Sequence, residues 1–112
     1  MLKNATINYQ HLGNNLVFQL YGEIDHHSAK NLREEIDQLI LMHRPDEVVF
    51  SLCDIDFMDS AGLGLILGRY TKIKEIGATL ILENPTEQIE KILKLAGIEK
   101  MIQIRRTSEA TA

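Results

Sequence analysis

Apolar residues recur along this chain with two alternating periods, and the switches between them mark its elements. From Ala29 they fall at Ala29, Leu32, Ile36, Leu39 and Ile40, spaced by three and four, which predicts a helix with one core-facing stripe that runs until Arg44-Pro45 stops it. Asp25 or Ser28 is placed to cap its start. Leu63, Ile66, Leu67, Tyr70 and Ile73 repeat the helical spacing ahead of Gly77, and Ile89, Ile92, Leu93 and Ala96 do so between Asn84-Pro85-Thr86 and Gly97. Between these helices lie short β-prone runs. LVFQLY, residues 16 to 21, follows the turn signal Gly13-Asn14-Asn15 and a weaker strand near 5 to 9, which together read as an opening hairpin. VVFSLC at 48 to 53 is apolar on both faces, as expected of a strand inside a covered parallel sheet. ATLIL at 78 to 82 makes another strand, and Met101 to Ile104 a short edge strand.

The order is therefore ββαβαβαβ, the pattern of an α/β sheet built from short βα units with right-handed crossovers. In such a sheet function gathers beyond the carboxyl ends of the parallel strands. That rule places Gly22-Glu23-Ile24-Asp25, Asp54 to Ser60 and Glu83-Asn84 along one rim. The last eight residues, RRTSEATA, read as a solvated tail.

With 112 residues, 45% hydrophobic and 25% charged, the chain suffices for one domain with a single core and not for two. A formal net charge of −4 argues against a nucleic-acid or anionic membrane partner, because neutralising phosphates needs a clustered positive field. Proteins are the expected partners. Cys53 is the single cysteine, so no internal disulfide forms, and its apolar surroundings suggest a small buried thiol. The polar N-terminus and the absence of an apolar run near the ~18 residues of a membrane span suggest a soluble cytoplasmic protein.

The candidate chemistry lies in FMDSAGLGLILG, residues 57 to 68. One reading is a dinucleotide fingerprint: Gly62, Gly64 and Gly68 follow a strand and open a helix, and Glu83 stands 21 residues beyond Gly62, where an acid could bind a ribose. No second half or substrate domain accompanies it, and Asp56, Asp59 and Ser60 crowd the place of a pyrophosphate. For Gly64 and Gly68 the plainer reading is close helix packing or a tight turn. A second reading makes Ser60 a nucleophile, but MDSAG is not G-x-S-x-G, and a base from His11, His26, His27 or His43 would have to reach the rim. The adjacent pair His26-His27 is also poorly spaced for a metal on a helix, so neither a metal nor a catalytic centre is expected.

The third reading makes Ser60 a substrate. Asp59-Ser60-Ala61-Gly62 begins a helix, where free N–H groups and the dipole favour an anion. A phosphate there would add about −1.5 to −2 charges beside Asp54, Asp56 and Asp59. A partner shaped for the less negative rim would then lose contacts and meet repulsion, a switch of binding without a required change of fold. Asp59 or Ser60 also serves as an ordinary N-cap, and both roles can hold together. Arg69 reads as a solvated helix position with its stem on apolar surface, or as a partner contact. Lys72, Lys74, Lys91, Lys94 and Lys100 read as solvating charges.

GEIDHHSA at 22 to 29 after the hairpin, and FMDSAGLGLILGRY at 57 to 70 after the central strand, resemble the anti-anti-sigma factors of the STAS domain family, its sporulation members in particular. The resemblance covers residues 3 to 104, as one domain with a polar tail at 105 to 112. It implies a mostly parallel central sheet after an N-terminal hairpin, with helices mainly on one face in place of a doubly wound layout. It further implies a phosphoprotein in transcription regulation whose unphosphorylated form binds an anti-sigma factor that is also a serine kinase, carrying ATP or ADP, and so releases a sigma factor. Phosphorylation would end that partner binding and a serine phosphatase would reset it. Ser60 matches the phosphoacceptor, with Asp59, Ala61 and Gly62 as its motif neighbours. Gly22, Glu23, Ile24 and Asp25 match the rim loop near the docking face, and Asp56, Met58, Leu63 and Arg69 complete the expected partner surface. Ala61 stands where many relatives have a second serine, which removes an alternative acceptor. The chain after Ile104 is shorter than in some relatives, so no C-terminal helix is expected. No cofactor is implied.

Overall fold

The computed structural model describes residues 5–107. A hairpin opens the chain: β1 (Thr6–Leu12) and β2 (Asn15–Ile24) pair antiparallel across the two-residue turn Gly13-Asn14, whose Gly13 has φ 62°. The Asn14 carbonyl accepts from the N–H of Asp46 at 2.8 Å, fastening this turn to the start of the next strand. Then follow α1 (His26–His43), β3 (Glu47–Met58), α2 (Ser60–Glu75), β4 (Thr79–Glu83), α3 (Glu87–Leu95), a short 3₁₀ turn at Ile98–Lys100 and β5 (Gln103–Arg105). The sheet order is β1-β2-β3-β4-β5, and every pair after the hairpin is parallel.

Each crossover from β2 to β5 steps to the next strand in the same direction, so right-handed connections put all three helices on one face. The single-domain, mostly parallel sheet with one-sided helices agrees with the expectation. Leu16, Phe18 and Leu20 of β2, Val48, Phe50 and Leu52 of β3, and Leu80 and Leu82 of β4 meet Leu32, Ile36 and Ile40 of α1, Leu65, Ile66 and Ile73 of α2, and Ile89 and Leu93 of α3. Phe18 and Phe50 contact edge to face with ring centres 5.7 Å apart. On the other face Val49 and Ile81 are also buried, so β3 is apolar on both sides without a helix on each. The register sets Gln19, Ser51, Glu83 and Arg105 in a row there.

The predicted stops are in place: Arg44 (φ 46°) ends α1 ahead of Pro45, Gly77 follows α2, and Gly97 (φ 75°) follows α3. Two expectations need correction. The first concerns strand ends, because β2 continues to Ile24 and β3 to Met58 as a two-stranded ribbon past the end of their pairing with β4. Register shifts between Gln19 and Tyr21 and between Gly22 and Glu23 insert extra residues into β3. They interrupt the period-two pattern, which is why DIDFM, residues 54 to 58, does not read as strand in sequence. Cys53 lies at the first irregularity and is exposed, not buried.

The second concerns the tail. Arg105 donates from Nε and Nη2 to Glu83 Oε2 at 3.1 and 2.9 Å, and Arg106 donates from Nη1 to the Pro85 carbonyl at 2.9 Å and pairs with Glu90. The Thr107 N–H donates to Asn84 Oδ1 at 2.8 Å, and Asn84 Nδ2 donates back to Thr107 Oγ1 at 2.9 Å. Residues 105–107 are therefore bonded to the domain, and the rest of the expected tail, with any C-terminal helix, lies outside the described residues.

Candidate functional site: the rim around Ser60

Two helices begin side by side at the end of the β2–β3 ribbon, each capped by an aspartate. Asp25 Oδ1 accepts from the N–H groups of His27 and Ser28, each at 3.0 Å, while Ser28 Oγ accepts from the Asp25 N–H at 3.1 Å. This reciprocal capping box assigns both candidate caps of α1, Asp25 at N-cap and Ser28 as its complement. The N–H bonds hold the Asp25 carboxyl below the usual carboxylate range, chiefly through Ser28. On α2 the cap is Asp59, whose Oδ1 accepts from the N–H groups of Ala61 at 2.8 Å and Gly62 at 3.4 Å. The Asp59 N–H in turn donates to the Ile24 carbonyl at 3.3 Å, tying the two helix starts together.

Ser60 is thus the first residue of α2 and not its cap. It is exposed, and its hydroxyl makes no hydrogen bond among the described residues. Asp54 and Asp56 are exposed and Asp59 is half-buried, so this end of the ribbon carries the acidic character expected of it. A groove of about 400 Å³ beside Asp59 is lined by Glu23, Asp25, His26, His27 and Phe57. Glu23 Oε1 is buried there with no hydrogen-bond partner among the described residues. His26 and His27 meet edge to face, and no group of three metal-ligating side chains occurs among the described residues.

The three glycines divide. A Cβ on Gly62 would collide with Met58 Cγ and lie 3.2 Å from Ile24 Cγ2, so α2 crosses the ribbon closely at this residue. At Gly64 and Gly68 nothing lies within 4 Å of such a Cβ, which corrects the close-packing reading for these two. They instead leave open a groove of about 420 Å³ between α1 and α2, which also carries Lys30 and Arg33. The nucleotide reading loses two parts. Asp59 already occupies the N–H groups a pyrophosphate would need, and the Glu83 carboxylate is held by Arg105.

Other expected partner residues fall elsewhere. Met58 is 2% exposed and Ile24 0%, both in the core, and Leu63 packs against that core half-buried. Arg69 is 3% exposed, not a solvated position, with its Nε 2.7 Å from Asp37 Oδ1 of α1. It is a tie between helices, and burial lowers its pKa while Asp37 opposes that shift. Gly22 and Glu23 are half-buried, Asp25 is spent as a cap, and Asp56 is exposed. Phe57, absent from the expected surface, is 41% exposed beside Asp59. The inside–outside alternation of Phe57 and Met58 on a strand is the signal that would have found it.

The STAS domain matches residues 6–111 of the chain. The chain belongs to the STAS domain family and, within it, to the anti-sigma factor antagonists. It is 34% identical over 101 residues to the anti-sigma F factor antagonist of Paenibacillus polymyxa, covering 90% of this chain and 86% of that protein. It is 31% identical over 106 residues to the anti-sigma-B factor antagonist of Bacillus subtilis, covering 95% of each. The structure of the anti-sigma factor antagonist SpoIIAA in its unphosphorylated form superposes with a TM-score of 0.79 at 26% identity, covering 95% of this chain and 92% of the other. The phosphorylated form of the Bacillus cell fate determinant SpoIIAA gives 0.72 at the same identity, covering 95% and 96%. STAS antagonists of this kind are regulatory binding proteins. No helix of the described residues is long and apolar enough to cross a membrane.

Proposed function

We propose that this STAS domain is a phosphorylation-switched antagonist of an anti-sigma factor, with Ser60 as the acceptor. Unphosphorylated, it binds an anti-sigma factor that is also a serine kinase holding ATP or ADP, and the sigma factor is released. The kinase transfers the γ-phosphoryl group of ATP to Ser60 Oγ, binding ends, and a serine phosphatase restores the free hydroxyl. The protein is the kinase's ligand and substrate and performs no catalysis itself. It acts in the cytoplasm, and its likeness to antagonists of anti-sigma F supports a role in sporulation.

The observation that carries this reading is the division of labour between Asp59 and Ser60. Asp59 caps α2, so the exposed Ser60 hydroxyl is spared for phosphoryl transfer and its loss leaves the helix start intact. A phosphate adds about −1.5 to −2 charges to a rim that already holds Asp54, Asp56 and Asp59. The fold tolerates it, because the new group projects toward solvent. A partner docked over this rim does not, since like charge in a desolvated contact is strongly unfavourable. Phe57 supplies an aromatic anchor at that contact, and the half-buried Glu23 carboxylate an acceptor for a partner's donor.

The test is intact mass and peptide mapping after incubation with Mg-ATP and the kinase-type anti-sigma factor of the same organism. One phosphate confined to Ser60 and absent from Ser60→Ala is expected. No modification, by a kinase active on another substrate, overturns the proposal.

A further inference from the structure

We propose that the outer edge of β1 is a self-association surface on which a second copy of this chain pairs antiparallel, with the two-fold axis at Tyr9. β1 is the first strand of the sheet, and among the described residues no strand pairs with its outer side. Edge strands of soluble proteins are usually blunted by charge, proline, a bulge or shortness. The opposite edge follows that rule: β5 has three residues, and Arg105 lies on it within an ion pair to Glu83. β1 does not. Its seven residues, TINYQHL, hold no Lys, Arg, Asp, Glu or Pro, its pairing with β2 runs without a register shift, and Tyr9 and Leu12 are 46% and 57% exposed.

The register accommodates a second copy with its outward groups paired. In a two-residue hairpin the flanking pair, here Leu12 and Asn15, is hydrogen bonded, and bonded pairs alternate along the strand. Gln10, Asn8 and Thr6 therefore bond to β2, and the N–H and C=O groups of Ile7, Tyr9 and His11 face outward. An axis at Tyr9 sets Tyr9 opposite Tyr9 and Ile7 opposite His11, so those outward groups all find partners. Asn8 meets Gln10, two amides that both donate and accept, and Thr6 meets Leu12. No like charges face each other at any position.

The pair also closes on itself. A two-fold contact consumes both β1 edges, and the short charged β5 edges left outside disfavour further addition, so a dimer and not a filament results. The two five-stranded sheets become one with all helices on the same side. Because strand direction reverses across the axis, the two Ser60 rims face opposite ends, and each copy keeps its partner surface.

Sedimentation equilibrium over a concentration series tests this, with circular dichroism to check folding of each variant. The wild type is expected to show a reversible monomer–dimer equilibrium. Tyr9→Lys places like charges opposite each other at the axis and weakens it by about tenfold or more, whereas Gln103→Lys on β5 leaves it unchanged. A mixture of Tyr9→Lys and Tyr9→Glu is expected to restore dimers, because one copy's ammonium then faces the other's carboxylate. A wild type that stays monomeric to its highest soluble concentration overturns the proposal. So does a dimer that Tyr9→Lys does not weaken or Gln103→Lys does, or a mixture of the two folded Tyr9 variants that stays monomeric.

Discussion

The Asp59 N–H donates to the Ile24 carbonyl at 3.3 Å, and through this bond the end of β2 fixes the start of α2. Everything proposed for the rim depends on that link. It sets the two capped helix starts beside each other and leaves Ser60, one residue on, outside the capping network.

Gly62 and Gly64 respond to alanine with opposite signs. At Gly62 the new methyl meets Met58 and Ile24 in the core, and overpacking of this kind costs about 1–3 kcal/mol. Gly64 faces open space, so its alanine gains helix propensity of about 0.5–1 kcal/mol. Urea unfolding of the two variants checks both signs.

The ion pair between Arg69 and Asp37 predicts an asymmetry. Asp37→Ala leaves a buried guanidinium without its counter-charge, a loss of about 3 kcal/mol given that Asp37 is partly exposed. Arg69→Met keeps the apolar stem and removes the charge, so it costs less. Equal losses in chemical denaturation would contradict this account of α1 and α2.

Asp25 makes the fold acid-sensitive. Its carboxyl titrates lower in the folded protein than in the unfolded chain, so its contribution is fully present above the unfolded value near ~3.9 and is lost as pH falls through the folded one. Glu90, held down chiefly by Arg106, adds in the same direction. Thermal unfolding of Asp25→Asn is expected to be less steeply pH-dependent below about pH 4 than that of the wild type.

Phe57 and Glu23 separate binding from stability. Phe57→Ala removes an exposed ring and Glu23→Gln an unsatisfied carboxylate, so neither is expected to lower the unfolding midpoint appreciably. Each is expected to weaken the anti-sigma factor by about tenfold, or 1.4 kcal/mol. Calorimetric titration of each variant reads this out.

Much of this was legible in the chain. Helical spacing with Pro45, Gly77 and Gly97 as stops located the three helices, and the ββαβαβαβ order fixed the sheet and the rim. What escaped has specific causes. The ribbon beyond the main sheet alternates irregularly because register shifts break its period, so Phe57 and Met58 exchanged roles and Cys53 was expected inside. Arg69 sits at a helix position whose charge suggests solvent, and its partner Asp37 lies on another helix, a pairing no local pattern encodes. Arg105, Arg106 and Thr107 carry the composition of a tail, yet their partners Glu83, Pro85, Glu90 and Asn84 stand about twenty residues earlier. The candidate site was readable as a helix start, with Asp59-Ser60 opening α2 after the central strand, because caps are local.

The central claim is that one phosphate at Ser60 decides partner binding while the fold is kept. The direct measurement is the affinity of the kinase-type anti-sigma factor for this protein before and after stoichiometric phosphorylation of Ser60, with amide exchange recorded on both forms. The account predicts a loss of at least about tenfold, or 1.4 kcal/mol, with core protection unchanged. Equal affinity of the two forms would contradict it.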